Sequence, residues 1–313
     1  MKPTAASFIV CGVVLLALLL PLPGQGQGSS QDQQGGLPTI RNNVNLVNVF
    51  FTVNDHHGAL LANLNKDEFE VLENGKPQTI KYFSAMSDLP LTLGLLVDTS
   101  SGAQGTLHAE KAAAADFLRQ IITDKGSIFV ASFDSSEDGA TLEQGFTTNI
   151  QRMRRAVEGI IPEGRGSSGA RLFDAIYVIS HEMLGEQVGR KVMVILTDGE
   201  DVGSRLKLRD ALEAAQKADA ICYVLLLVDP QHLSNMGDMR QLAEQTGGRV
   251  IEINRPDKIG DAFRQISAEL RSQYSLGYSS EDARRDGSFR KIEVQSKNGY
   301  KVQARKGYYA PAS

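Results

Sequence analysis

The chain has 313 residues, 42% hydrophobic and 22% charged, an ordinary globular balance with room for one large or two modest domains. With 33 Lys and Arg against 37 Asp and Glu, the net charge is -4, which argues against a nucleic-acid surface. The chain has only two cysteines, Cys11 and Cys222, too few for a disulfide framework.

The first residues read as a targeting segment. Lys2 precedes an unbroken apolar and small-residue run from Phe8 to Leu20, followed by Pro21 and "LPGQGQGSSQ". This is the layout of a secretory signal peptide, assigned to residues 1–26. The run falls short of the about 20 apolar residues of a membrane span. An uncleaved N-terminal anchor is the alternative, and the only route by which this chain would meet a membrane. The expected location is therefore secreted, periplasmic or in the cell envelope. Cys11 leaves with the signal, so Cys222, inside "AICYVLLLV", has no intrachain partner and reads as a small buried hydrophobe. Residues 27–40, rich in Gln, Gly and Ser, read as a flexible linker.

Residues 41–88 are β-rich. "VNLVNVFFTV" (Val44 to Val53) is a strand, and Phe69 to Glu73 with Gln78 to Phe83 forms a hairpin around Asn74-Gly75. Over residues 89–272, strand-like and helical runs alternate. Strands are expected at Leu91–Val97, Ser127–Phe133, Thr141–Phe146, Lys191–Thr197, Ala220–Val228 and Arg249–Ile253. Helices are expected at Leu107–Ile122, Ile150–Ile161, Leu172–Leu184, Leu206–Ala218, Met239–Thr246 and Ile259–Ser272. Continuous apolar strands are buried on both faces, and alternation with helices gives an α/β, doubly wound, mostly parallel sheet. Residues 273–313 return to short strands, with turns at Asp286-Gly287 and Asn298-Gly299. Neither flanking β piece can bury a core alone. The two are expected to pair into one small antiparallel β domain, with the α/β unit inserted in it.

Asp98 ends the strand "LGLLVDTSSG", and Asp198 ends "VMVILTDGED". On a parallel sheet both acids reach the carboxyl edge, where such sheets bind ligands. Like charges held close need a cation or a shared proton. Ser100 adds a hydroxyl, and this oxygen set suits a hard divalent ion, Mg²⁺ above all. A second reading stands beside it: Asp98 and Ser100 cap the following helix, and Asp198-Gly199 is a tight turn. His181-Glu182 lacks the second His of a zinc-protease helix and reads as a surface pair. His56-His57 sits in a turn. "GRGSSG" (Gly164 to Gly169) lacks the ending of a phosphate loop, and Ser100 has no base within a hydrolase motif, so catalysis is not expected. Tyr308-Tyr309 reads as strand packing.

"DTSSG", "GSSGARLFDAI" and "VILTDGED" resemble the three metal-site loops of a von Willebrand factor type A domain, over about Leu91 to Ser272. The head "VNVFFTVNDHHGALLANLNKDEFEVLENGKPQTI" and the tail from "YSLGYSS" to "GYYAP" resemble secreted bacterial proteins described as VWFA-related acidobacterial domain proteins. The resemblance implies a Rossmann-like fold and a non-enzymatic adhesion or binding module. It also implies a protein partner whose acidic residue completes the coordination of Mg²⁺. A metal-independent structural or scaffold role in the cell envelope is the alternative. By the resemblance, Asp98, Ser100 and Asp198 match metal-ligand positions. Gly102 stands where a Ser belongs and Ala170 where a Thr belongs, so the site is degenerate. Restoring both oxygens costs little stability if both positions lie in exposed loops.

Overall fold

The alternation of buried and exposed residues in "LVNVFFTVN" makes β1 (Leu46–Asn54) a strand with one face, Val47, Val49, Phe51 and Val53, in a core. The computed structural model describes residues 46–85, 89–100, 107–121, 126–162, 169–228 and 235–312. The signal and linker expected over residues 1–40 lie outside these. After β1, the Asp55 carboxylate accepts the N–H groups of His57 and Ala59, each at 2.8 Å, and turns the chain. A single 3-10 turn then leads into β2 (Phe69–Glu73), β3 (Lys76–Gln78) and β4 (Ile80–Ala85).

Asn74 (φ 48°) and Gly75 (φ 80°) make the tight turn of the expected hairpin, with Glu73 opposite Lys76. The hairpin's second strand is not continuous, however. Only β3 stays beside β2, and β4 crosses to another sheet. Pro77 offers no N–H, which suits β3 to a sheet edge. The crossing brings Ile80 and Phe83 into the core from the opposite layer.

The middle of the chain runs β5 (Leu91–Asp98), α1 (Leu107–Ile121), β6 (Ser127–Phe133), β7 (Thr141–Thr147), α2 (Ile150–Gly159) and α3 (Leu172–Val178). A π-helical turn, Ile179–Leu184, extends α3. Then come β8 (Arg190–Thr197), α4 (Leu208–Lys217), β9 (Ala220–Leu227), α5 (Met236–Thr246), β10 (Val250–Ile253) and α6 (Ile259–Arg271). The six strands form one sheet in the order β10-β9-β8-β5-β6-β7, parallel except for β7. Residues 134–140 are too few for the crossover of a dozen or more residues that a parallel neighbour needs, so β7 returns antiparallel. Helices α1, α2 and α6 bury one face of the sheet, and α3, α4 and α5 the other. Gly94 sits opposite Phe129 on β6, and a Cβ there would lie 2.3 Å from the Phe129 ring. Glycine at this point lets the ring lie across the central strand.

The chain ends in β11 (Tyr274–Ser279), β12 (Phe289–Ser296), β13 (Lys301–Ala304) and β14 (Gly307–Tyr309). These strands build two sheets with the head of the chain, β13-β1-β11-β4 and β14-β12-β2-β3. Val49 pairs with Leu276, and Val71 with Val294, so head and tail share one core. That core carries a buried polar network. Glu73 accepts the hydroxyls of Tyr278 (2.8 Å), Tyr308 (2.9 Å) and Ser280 (2.6 Å), and the Arg290 guanidinium lies 3.7 Å away. Tyr308 is thus buried in strand packing, as expected, but it also bonds an acid that no sequence pattern marked.

Candidate functional site

The chain leaves β5 toward β6 on one side, while β8 packs on the other. This is a topological switch point, and the crevice at the carboxyl ends of β5 and β8 is the default ligand site of such a sheet. Asp98 ends β5, and Thr197 ends β8 with Asp198 next. The two acids and Ser100 therefore gather at one edge.

Asp98 is fully buried. Its Oδ1 accepts the Ser100 N–H at 2.9 Å, and its Oδ2 accepts the Thr197 hydroxyl at 2.7 Å. Burial pushes its pKa up to about 6 against the hydrogen bonds of Ser100 and Thr197, and the nearby charge of Asp198 pushes the same way. The buried Ser100 hydroxyl lies beside the Asp98 carboxylate, which it helps to keep ionised, and has no other hydrogen-bond partner among the described residues. Asp198 is half-buried, and its Oδ1 accepts the Glu200 N–H at 2.9 Å, as a tight turn requires. Gly199, with φ 81°, completes that turn. Thr197 is an organiser that the sequence did not reveal: its oxygen also accepts the Gly199 N–H at 3.0 Å, linking both loops.

The second loop joins the third at Ala170, whose carbonyl accepts the Val202 N–H at 2.8 Å. Ala170 is 1% exposed, so the condition for an inexpensive substitution is not met there. Its bridge to Asp201 presses the residue into the sheet-side core, and a methyl fills the place of the hydroxyl that the resemblance implies. Gly102 lies outside the described residues. Two further acids fix these loops. Asp174 accepts the N–H groups of Arg205 (3.1 Å) and Leu206 (3.0 Å), and Asp201 accepts the Phe173 N–H (3.1 Å) and the Ser204 hydroxyl (2.6 Å). Asp174 falls within "ARLFDAI", but its role depends on a loop 31 residues away.

Among the described residues, no three Asp, Glu, His or Cys side chains are placed to hold a metal together. An ion at this edge would rest on two carboxylates, one hydroxyl and water. These are hard oxygen donors, the chemistry that Mg²⁺ accepts. The Ser100 hydroxyl, with no partner beyond Asp98, fits such an ion, and by the family resemblance Ala170 lacks one donor. The other candidates stand apart. His181 bonds Glu182 at 3.0 Å on the surface, and His56 packs beside the Tyr300 ring. Cys222 is buried, with its thiol pushed up to about 12 by desolvation, and is chemically quiet. No described helix is long and apolar enough to cross a membrane.

A sequence model of the von Willebrand factor type A domain matches residues 93–265. No curated protein matches the sequence. Among solved structures, proximal thread matrix protein 1 from the mussel byssus, with a zinc-occupied MIDAS motif, is 15% identical. That likeness covers 61% of this chain and 48% of the mussel protein, with a TM-score of 0.52. The chain thus spans about half the length of that protein. A von Willebrand factor type A protein from Catenulispora acidiphila is 13% identical, over 85% of this chain and 74% of the other, with a TM-score of 0.50. BatB from Bacteroides thetaiotaomicron is 16% identical, over 57% of this chain and 97% of that one, at a TM-score of 0.49. At these identities the mussel and Catenulispora likenesses speak for the fold alone. The sequence match begins within β5, ends within α6 and takes in both edge acids, and the chain belongs to the von Willebrand factor type A family.

Proposed function

We propose that the chain is an exported, non-enzymatic binding module whose β5/β8 edge engages a protein partner through a divalent cation. Domains of this family generally mediate protein–protein interaction rather than catalysis. The observation that carries the metal reading is the buried Ser100 hydroxyl, with no partner beyond the buried Asp98 carboxylate, within the field of Asp198. Asp98, Ser100 and Asp198 would hold Mg²⁺, with water at the remaining positions. Once bound, the ion supplies positive charge for an acidic residue of the partner. The chain's own residues prepare the edge: Thr197 orients Asp98, the Glu200 N–H orients Asp198, and Asp174 and Asp201 hold the loops behind them. The zinc-occupied MIDAS motif of the mussel protein supports metal binding within this fold. Export rests on the segment 1–26, and adhesion on the family resemblance.

A metal-independent scaffold is the second reading, favoured by the Ala170 methyl at a ligand position. Calorimetric titration with Mg²⁺ and Mn²⁺ separates the two. The parent should bind one ion weakly, and Asp198→Ala should not bind it. A parent that gives no binding heat leaves the scaffold reading in place.

A further inference from the structure

The opposite edge of the six-stranded sheet carries a second cavity, independent of the β5/β8 edge. It lies where the starts of β8 and β9 meet β1, and its volume is about 340 Å³. That is within the roughly 300–1,000 Å³ of small-molecule sites. Phe50, Val188 and Ile221 supply apolar wall, and Lys191, Asp219 and Arg305 supply charge.

The charges do not balance. Lys191 is 7% exposed and has no hydrogen bond or ion pair among the described residues. Burial lowers its pKa, Asp219 opposes that shift, and Arg305 adds to it. Arg305 bonds the Asp219 carboxylate and donates to the Asn48 carbonyl at 2.6 Å. Its Nε is buried with no partner among the described residues. The one acid, Asp219, has a side chain 55% exposed, so water screens much of its charge. A buried ammonium and a partly buried guanidinium thus share one half-solvated anion. A largely buried ammonium whose only counter-charge is half-solvated is costly, and one further negative charge would offset that cost. The walls add a second requirement. Val188, 79% exposed, stands at the mouth, and Phe50 and Ile221 lie further in, so apolar surface flanks the charged floor.

We propose that this cavity binds a small apolar molecule ending in a carboxylate, with its head on Lys191 and its body along Phe50, Val188 and Ile221. One missing charge calls for a monoanion, and the apolar wall calls for more than a free anion.

The test is calorimetric titration of the full chain with octanoate, with octanamide and acetate as controls. Octanoate should bind about tenfold or more tightly than octanamide, the worth of a charge-assisted hydrogen bond to a buried group. Acetate should bind more weakly than octanoate because it leaves the wall uncovered. Lys191→Met keeps the stem and should erase the preference for octanoate over octanamide. Val188→Glu, at an exposed position, should weaken octanoate by repulsion even if the first variant folds poorly. Absence of octanoate binding, equal affinity for octanoate and octanamide, or affinities unchanged in both variants would overturn the assignment.

Discussion

Replacing Arg290 with Met tests whether the buried polar network joins the head and tail of the chain. Met keeps most of the apolar stem and removes the guanidinium. Nη1 now donates to the Asp282 carbonyl at 2.6 Å and the Ser280 hydroxyl at 3.0 Å, and lies 3.7 Å from Glu73. Without it, Glu73 stays buried on β2 with hydroxyl donors but no cation. Removing one member of a buried ion pair costs about 3–5 kcal/mol. The low end, about 3 kcal/mol, is expected because Tyr278, Tyr308 and Ser280 still bond the carboxylate. For a chain of this size that lowers the thermal midpoint by roughly 6–12 °C. Adding Glu73→Gln should restore about 1–2 kcal/mol, since a neutral amide needs no cation. Urea denaturation of the parent, both single variants and the double variant measures the coupling, and hydrogen exchange locates the change on β2 and β12. A loss below about 1 kcal/mol, or no rescue by Glu73→Gln, refutes the reasoning.

Gly94→Ala should destabilise by about 1–3 kcal/mol, because the new methyl overlaps the Phe129 ring on the central strand; combining it with Phe129→Leu should recover part of the loss in a denaturation series. Asp98→Asn, measured in chelator, should stabilise the fold at pH 7. The folded pKa of about 6 lies above the ordinary 3.8, so the folded state prefers the acid form, and stability falls as pH rises between those values. That difference is worth up to about 3 kcal/mol, less about 1 kcal/mol for the weaker bonding of the amide to Thr197; an equal gain at pH 3 and pH 7 would rule this out. Gly102→Ser with Ala170→Thr should raise the thermal midpoint in Mg²⁺ relative to chelator, as a ligand of the native state does. Because Ala170 is buried, the pair should also cost about 1–3 kcal/mol in chelator; the same Mg²⁺ response as the parent would show that these positions do not limit binding.

The α/β layer was legible because buried parallel strands read as unbroken apolar runs. "LTLGLLV" and "VMVILT" could hardly be anything else, and an acid following such a run marks the carboxyl edge. That logic gathers Asp98, Ser100 and Asp198 at one edge. The tertiary partners were not legible. Glu73 and Arg290 look like ordinary alternating strand residues, and only the pairing of β2 with β12 brings them together. Ala170 sits in a Gly- and Ser-rich stretch that reads as exposed, yet Asp201 and Val202 cover it from the next loop. Lys191 at a strand start looks solvated, and the packing of β1 across it is what leaves it in a cavity. The division of β3 from β4 was hidden because "KPQTIKYF" carries no breaker other than Pro77.

The central claim, a cation held at the β5/β8 edge, is tested most directly by paramagnetic broadening of backbone amide signals with Mn²⁺. Broadening should begin at Thr99, Ser100 and Gly199, spread to Glu200, spare the Lys191 edge, and vanish in Asp198→Ala. Broadening that begins elsewhere, or that persists at those amides in Asp198→Ala, would contradict the account.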